Sequence, residues 1–201
     1  MKKIKILLTA ALISISGAMV QSQEVTSSLD EALTSYHSDN LEDARFALQG
    51  ALNGINQAIG KEILAILPEE MNGMTKVEEG DDVTGINTGF AGLFISRSYT
   101  SEERNASIQI VSDSPLLAGI NTILAMPGFM TSNENQKRIK MEGYKALLTR
   151  NSDGDGLVSY DLQMPFSGSL LTFQCTGIED EDEVIGMANR IPVDEIVAIA
   201  R

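Results

Sequence analysis

The sequence predicts an α+β fold, in which a largely antiparallel sheet of about five to seven strands combines with a long N-terminal helix. Apolar residues recur at three- and four-residue steps over about residues 41–67, and this is the period of an amphipathic helix. Downstream segments alternate apolar and polar residues, as strands do. Short turn sequences separate these segments, and only antiparallel neighbours allow such short connections.

The long helix has a defined start, an apolar face and a defined end. Asn40 can cap it and Pro68 stops it, so the helix is roughly 40 Å long. We expect it to pack across the sheet through Leu41, Ala44, Leu48, Ala51, Leu52, Ile55, Ile59, Ile63 and Ile66. Small residues form a second stripe at Ala47, Gly50, Ala51, Gly54 and Ala58. Tight packing on the protein's own sheet is the favoured interpretation of that stripe, and contact with another chain is the alternative.

Strands and shorter helices follow Pro68. The pattern predicts strands over 74–77, one or two within 86–99, and another over 106–112. A helix near 114–126 starts with Ser114 as its cap and Pro115 in its first turn. Four more strands are predicted over 138–142, 144–150, 157–165 and 169–176, and two helices near 181–190 and 193–200.

The first 22 residues have the features of a cleaved signal peptide. Lys2, Lys3 and Lys5 precede an apolar stretch that ends in small and polar residues before Gln23. We therefore expect a periplasmic or secreted, soluble protein without stable membrane anchoring after cleavage. Residues 23–40 are expected to be a polar segment with a loose helical turn around Leu29–Tyr36, and residues 41–201 a single α+β domain.

Composition excludes several classes of function. The chain has 28 acidic and 15 basic residues, a formal net charge of -13, one histidine and one cysteine. Loss of the three signal-peptide lysines would make the net charge about -16. Such an acidic chain lacks the basic surface that nucleic-acid binding requires. Single copies of histidine and cysteine exclude a multi-histidine metal site and an internal disulfide.

One segment resembles a calcium-binding loop. Asn151, Asp153 and Asp155 place oxygen atoms at alternate positions, and Gly156 is the sixth residue of the segment. The twelfth position is Leu162 instead of the glutamate that this loop requires, and strands are predicted on both sides. A β-hairpin turn is therefore the favoured interpretation, and a weak calcium site is the alternative. We expect no other cofactor.

No set of residues indicates catalysis. The acidic run from Glu179 to Glu183 is typical of a helix start, and the acidic residues between Glu78 and Asp82 would bind a cation only if the two runs met. Cys175 lies in a strand as a small apolar residue, and His37 is the only histidine that could activate it. We therefore assign no catalytic residue.

Four stretches resemble a family of uncharacterised exported bacterial proteins: residues 41–45, 63–68, 111–117 and 139–146. This resemblance implies a small periplasmic α+β domain and brings no activity or site. The alternation of strands and helices is also similar to the PsbP/Mog1-like sandwich, a scaffold that is used mainly for protein interaction.

The sequence favours a non-enzymatic binding or interaction protein of the cell envelope, with another envelope protein as its partner. The alternative is a hydrolase that depends on carboxylates or on a divalent metal. Export, acidity and the absence of a recognisable catalytic set favour the first hypothesis.

Overall fold

The computed structural model describes residues 23–84, 92–126, 135–152 and 156–200. The chain divides into two compact units, Met1–Ala58 and Ile59–Arg201. The predicted α+β class is confirmed, because helices accompany a large antiparallel sheet. No helix in these described ranges has the length and apolar character needed to cross a bilayer.

The first unit contains a hairpin of two helices. Helix α1 covers residues 23–37, and α2 is Leu41–Ile66, which continues past the boundary into the second unit. Asp39 takes a positive φ of 57° in the turn between them. Asn40 then caps α2 as expected, because its Oδ1 accepts a hydrogen bond from the Asp43 amide at 3.4 Å. The segment expected to hold only a loose helical turn is thus a helix.

Small residues bring α1 and α2 close together. Ala32, Ala44, Ala47 and Ala51 are buried. A Cβ atom placed on Gly54 would lie 2.5 Å from Cγ2 of Val25, and one on Gly50 would lie 3.4 Å from Oγ of Ser28. These pairings make the two helices antiparallel. The expectation that this stripe packs on the sheet is therefore wrong, because the preceding helix occupies the space beside Gly50 and Gly54.

In the described residues the second unit is built on a sheet of nine antiparallel strands, two more than the largest number expected. The strands are β1 Glu70–Met71, β2 Met74–Lys76, β3 Asp82–Thr84, β4 Phe94–Thr100, β5 Asn105–Ser112, β6 Gln136–Met141, β7 Tyr144–Ser152, β8 Val158–Phe166 and β9 Ser169–Thr176. Their order is β1-β2-β4-β5-β9-β8-β7-β6, and β3 also pairs with β4. Strands β1 and β3 were not expected, because each contains a single apolar residue and therefore shows no alternating pattern.

One face of the sheet carries the main core. Ile108 on β5, Leu162 on β8 and Phe173 on β9 are completely buried there. The end of α2 contributes Ile63, so this part of the helix packs on the sheet as expected. The core is completed by helices α4, Glu181–Ala188, and α5, Val193–Ile199.

Helix α3, Leu117–Ala125, packs on the opposite face against Leu147 and Leu170. It begins later than the sequence suggested, with Leu116 at its cap position. Ser114 is therefore not the cap. Its Oγ accepts a hydrogen bond from the Leu116 amide at 3.3 Å, which forms a turn before the helix starts.

Candidate functional site

Exposed apolar side chains are concentrated on the helical hairpin. In the described part of the chain eleven large apolar residues are exposed, and eight of them belong to residues 23–58: Leu29, Leu33, Tyr36, Leu41, Phe46, Leu48, Leu52 and Ile55. Leu33 is 55% exposed and Leu48 is 53% exposed. Most of these α2 residues were expected to pack on the sheet. That expectation is wrong for Leu41, Leu48, Leu52 and Ile55, because periodicity shows which face is apolar and not what covers it.

A groove of about 470 Å³ lies between the two helices, and we call it the hairpin groove. Ala32 and Ala44 are small and buried, so they form its floor. Larger apolar side chains form its walls, namely Leu29, Leu33 and Tyr36 from α1 and Leu48 from α2. The two alanines create the depression, and the long side chains beside them define its sides.

The hairpin around the groove is acidic. Its described residues include six exposed carboxylates, Glu24, Asp30, Glu31, Asp39, Glu42 and Asp43, and one arginine, Arg45. The ion pairs found among the described residues involve Lys76, Arg97, Arg104 and Lys137, all in the second unit. None of these pairs neutralises a carboxylate of the hairpin.

The sheet presents a second surface, which is polar, on the face opposite the main core. Strand pairing aligns its side chains in cross-sheet rows, and the central row is Ser98, Ser107, Gln174, Asp161, Thr149 and Gln136. A neighbouring row begins Ser96, Gln109, Thr172 and Gln163. A shallow groove of about 400 Å³ crosses part of this face, and hydroxyl and amide side chains line much of it. Such a surface can form hydrogen bonds with water or with a polar ligand.

Asp161 is the acidic residue of the central row. Burial raises its pKa, and a hydrogen bond with Gln174 acts in the opposite direction. Among the described residues its Oδ1 atom has no hydrogen-bond partner, and its Oδ2 lies 3.5 Å from the Gln163 amide nitrogen. A half-buried carboxyl with a raised pKa can hold a proton more readily than an exposed one.

The calcium-loop candidates lie at the end of β7 and in the segment that joins it to β8. Asn151 lies within β7, paired with Ser159 of β8. Asp153 and Asp155 lie outside the described residues. Strands flank the segment on both sides, as expected, but the choice between a turn and a weak calcium site stays a prediction.

The two acidic runs form separate pairs with other side chains. Asp81 binds Arg97, Glu181 binds Lys137, and Glu183 binds Arg104. The expected helix start is confirmed, because Asp180 caps α4 through a 3.0 Å hydrogen bond from the Asp182 amide. Within the described ranges, no group of three histidine, cysteine or acidic residues is arranged to hold a metal ion.

Cys175 is buried in β9, as its position in the strand suggested. Burial raises the pKa of its thiol to about 11, so the thiol is protonated at neutral pH. His37 is exposed near the end of α1, with its ring 6.3 Å from that of Tyr36. The hairpin groove was not expected from the sequence, although Val25, Leu29, Ala32 and Tyr36 recur at three- and four-residue steps.

Comparison of the chain with models of protein families, with curated proteins and with solved structures gives no match. The function is therefore inferred from the residues and surfaces of this chain.

Proposed function

We propose that this chain is a non-catalytic interaction module of the cell envelope, and that it binds a partner protein through the hairpin groove. The observation that carries the proposal is that four of the exposed apolar side chains of the hairpin, Leu29, Leu33, Tyr36 and Leu48, line one groove. Single apolar residues are common on protein surfaces, but a contiguous patch is typical of an interaction site.

Energetics favour coverage of this patch. Leu29, Leu33 and Leu48 are each about half exposed. Complete burial of a leucine side chain contributes roughly 1.5–3 kcal/mol, and the residual exposure here makes part of that free energy available to a partner. Tyr36 adds an aromatic side chain of the kind that is enriched where proteins meet.

Site-specific photo-crosslinking in intact cells tests the proposal. A photoreactive amino acid replaces Leu33, which lines the groove, or Phe46, which is 76% exposed and lies outside the groove lining. We expect a discrete crosslinked protein band from position 33 and none of the same size from position 46. Equal crosslinking at both positions, or none at position 33, would contradict the proposal.

Genetic replacement provides a second measurement of the same surface. The double variant Leu33→Gln/Leu48→Gln keeps both side chains long but removes their apolar character. Because both residues are more than half exposed, we expect the variant to fold and to lose the crosslink from a reporter placed at Leu29. Phe46→Gln is the matched control, and it should keep the crosslink.

A further inference from the structure

We infer that the partner's binding element is a cationic amphipathic helix, which lies in the hairpin groove and completes a three-helix bundle. This inference rests on the proposed function and adds the chemistry of the partner to it. Two features of the hairpin support this inference, namely the shape of the groove and the charge of the helices that form the groove.

The shape of the groove suits a helix. Two antiparallel helices leave an elongated depression between them, and here its floor is made of the buried Ala32 and Ala44. The α1 side chains that line it recur at residues 29, 32, 33 and 36, which places them along one side of that helix. A third helix can insert apolar residues at the same spacing between these walls.

The charge of the hairpin selects a basic helix. Within residues 23–58, the described part of the first unit carries six exposed carboxylates and a single arginine, Arg45. A second copy of this chain would bring another set of six carboxylates to the interface, and such like-charge contacts oppose association. An anionic lipid surface would be repelled in the same way. A helix with lysine or arginine beside its apolar stripe would instead match both the groove and its surroundings.

The test uses the full chain, as processed and purified from cells, and two synthetic peptides. Both peptides are about 18 residues long, or five helical turns, with the same leucine spacing. One carries lysine and the other glutamate at every polar position. Isothermal titration calorimetry measures the affinity of each peptide for the unchanged chain, for Leu33→Gln/Leu48→Gln, and for Phe46→Gln. Circular dichroism checks that every variant is folded.

We expect the leucine–lysine peptide to bind and the leucine–glutamate peptide to bind at least about tenfold more weakly. The double groove variant should lower the affinity for the lysine peptide at least about tenfold, whereas Phe46→Gln should change it by less than about twofold. The last comparison separates groove binding from nonspecific attraction to an acidic protein.

Three results would overturn the inference. Equal binding of both peptides, sensitive to the groove variant, would show a groove without charge selection and would leave the proposed function standing. If the groove variant bound the lysine peptide as tightly as the unchanged chain, the binding would be nonspecific attraction to an acidic protein. Sedimentation of the unchanged chain as a dimer, lost in the groove variant, would identify a second copy as the occupant. Failure of the cellular crosslink at Leu33 would instead contradict the proposed function itself.

Discussion

Arg97 and Asp81 form a two-point contact at the edge of the main core. The Arg97 Nε donates to Oδ1 of Asp81 at 2.7 Å, and Nη2 donates to Oδ2 at 2.5 Å. Nη1 donates to the Leu67 carbonyl oxygen at 2.8 Å. The Arg97 side chain therefore connects β4 with the residue that follows α2 and with the segment before β3. The Asp81 hydrogen bond raises the pKa of Arg97, whose side chain is 4% exposed.

Removal of the Asp81 carboxylate should lower the stability of the fold, because it leaves the buried charge of Arg97 without its counter-ion. We expect Asp81→Asn to lower the free energy of unfolding by about 3 kcal/mol, the lower end of the range for broken buried pairs, since Asp81 is itself 29% exposed. Urea unfolding at neutral pH measures the change. Glu69 lies 3.8 Å from the same guanidinium but is 67% exposed, so Glu69→Gln should cost less than about 1 kcal/mol. Similar losses in both variants would contradict this account.

Gly54 tests the packing between α1 and α2. Because a Cβ atom there would lie 2.5 Å from Cγ2 of Val25, a larger side chain must displace the Val25 side chain or move α1 away. We expect Gly54→Leu to lower stability by about 1–3 kcal/mol, partly offset by the better helix propensity of leucine. Thermal unfolding followed by circular dichroism is the measurement.

Gly186 in α4 is the matched control for this prediction. Apart from its chain neighbours and the backbone of its own helix, no atom of the described residues lies within 4 Å of the position that its Cβ would occupy, so Gly186→Ala should gain up to about 1 kcal/mol from helix propensity alone. A second variant checks the cause, because Val25→Ala should recover part of the stability lost in Gly54→Leu. If Gly54→Leu were as stable as the unchanged chain, the close approach of the helices would be refuted.

Elements with long periodic patterns were predictable from the sequence, and surfaces were not. Helix α2 was expected over 41–67 and forms as Leu41–Ile66, because Asn40 and Pro68 mark its ends. The apolar stripe of that helix gave no sign that Ile63 would be buried while Leu48 remained exposed. Burial depends on what covers each turn, and this information lies in the tertiary structure.

The polar rows of the sheet also could not be predicted from local sequence patterns alone. Alternation in each strand indicates which side chains share a face, so Ser107 and Gln109 could be placed on one side of β5 from the sequence. The alignment of Ser107 with Gln174 and Asp161 also requires the order and register of the strands. Strands β5 and β9 are far apart in the chain, and local pattern does not report their pairing.

Cys175 should not react in the folded protein. Its thiol is buried, and burial raises its pKa to about 11, so the nucleophilic thiolate is scarce at pH 8. We expect labelling with a chromogenic disulfide reagent to be slow in buffer and complete in denaturing urea. Rapid labelling of the folded chain would show that β9 opens readily.

Asp161 gives a pH-dependent prediction. Burial raises its pKa in the folded chain above the value of the unfolded chain, so the folded state binds this proton more tightly. Its contribution to stability is therefore greatest at low pH and is lost as pH rises through the folded pKa. Asp161→Asn removes the ionisation, and the variant should be more stable than the unchanged chain at pH 7. Asp161 is only partly buried, so the gain should be small.

Urea unfolding of both proteins between pH 4 and 7 measures the effect, at approximately one-unit steps across the range in which carboxyl groups titrate. The difference between Asp161→Asn and the unchanged chain should grow as pH increases and then level off. Asp82→Asn is the control, because Asp82 is an exposed carboxylate in the short strand β3, and its replacement should produce no comparable rise. If Asp161→Asn instead lost stability at pH 7, the ionised carboxylate would be a stabilising member of the polar row, accepting hydrogen bonds from Gln163 and Gln174 that outweigh its burial.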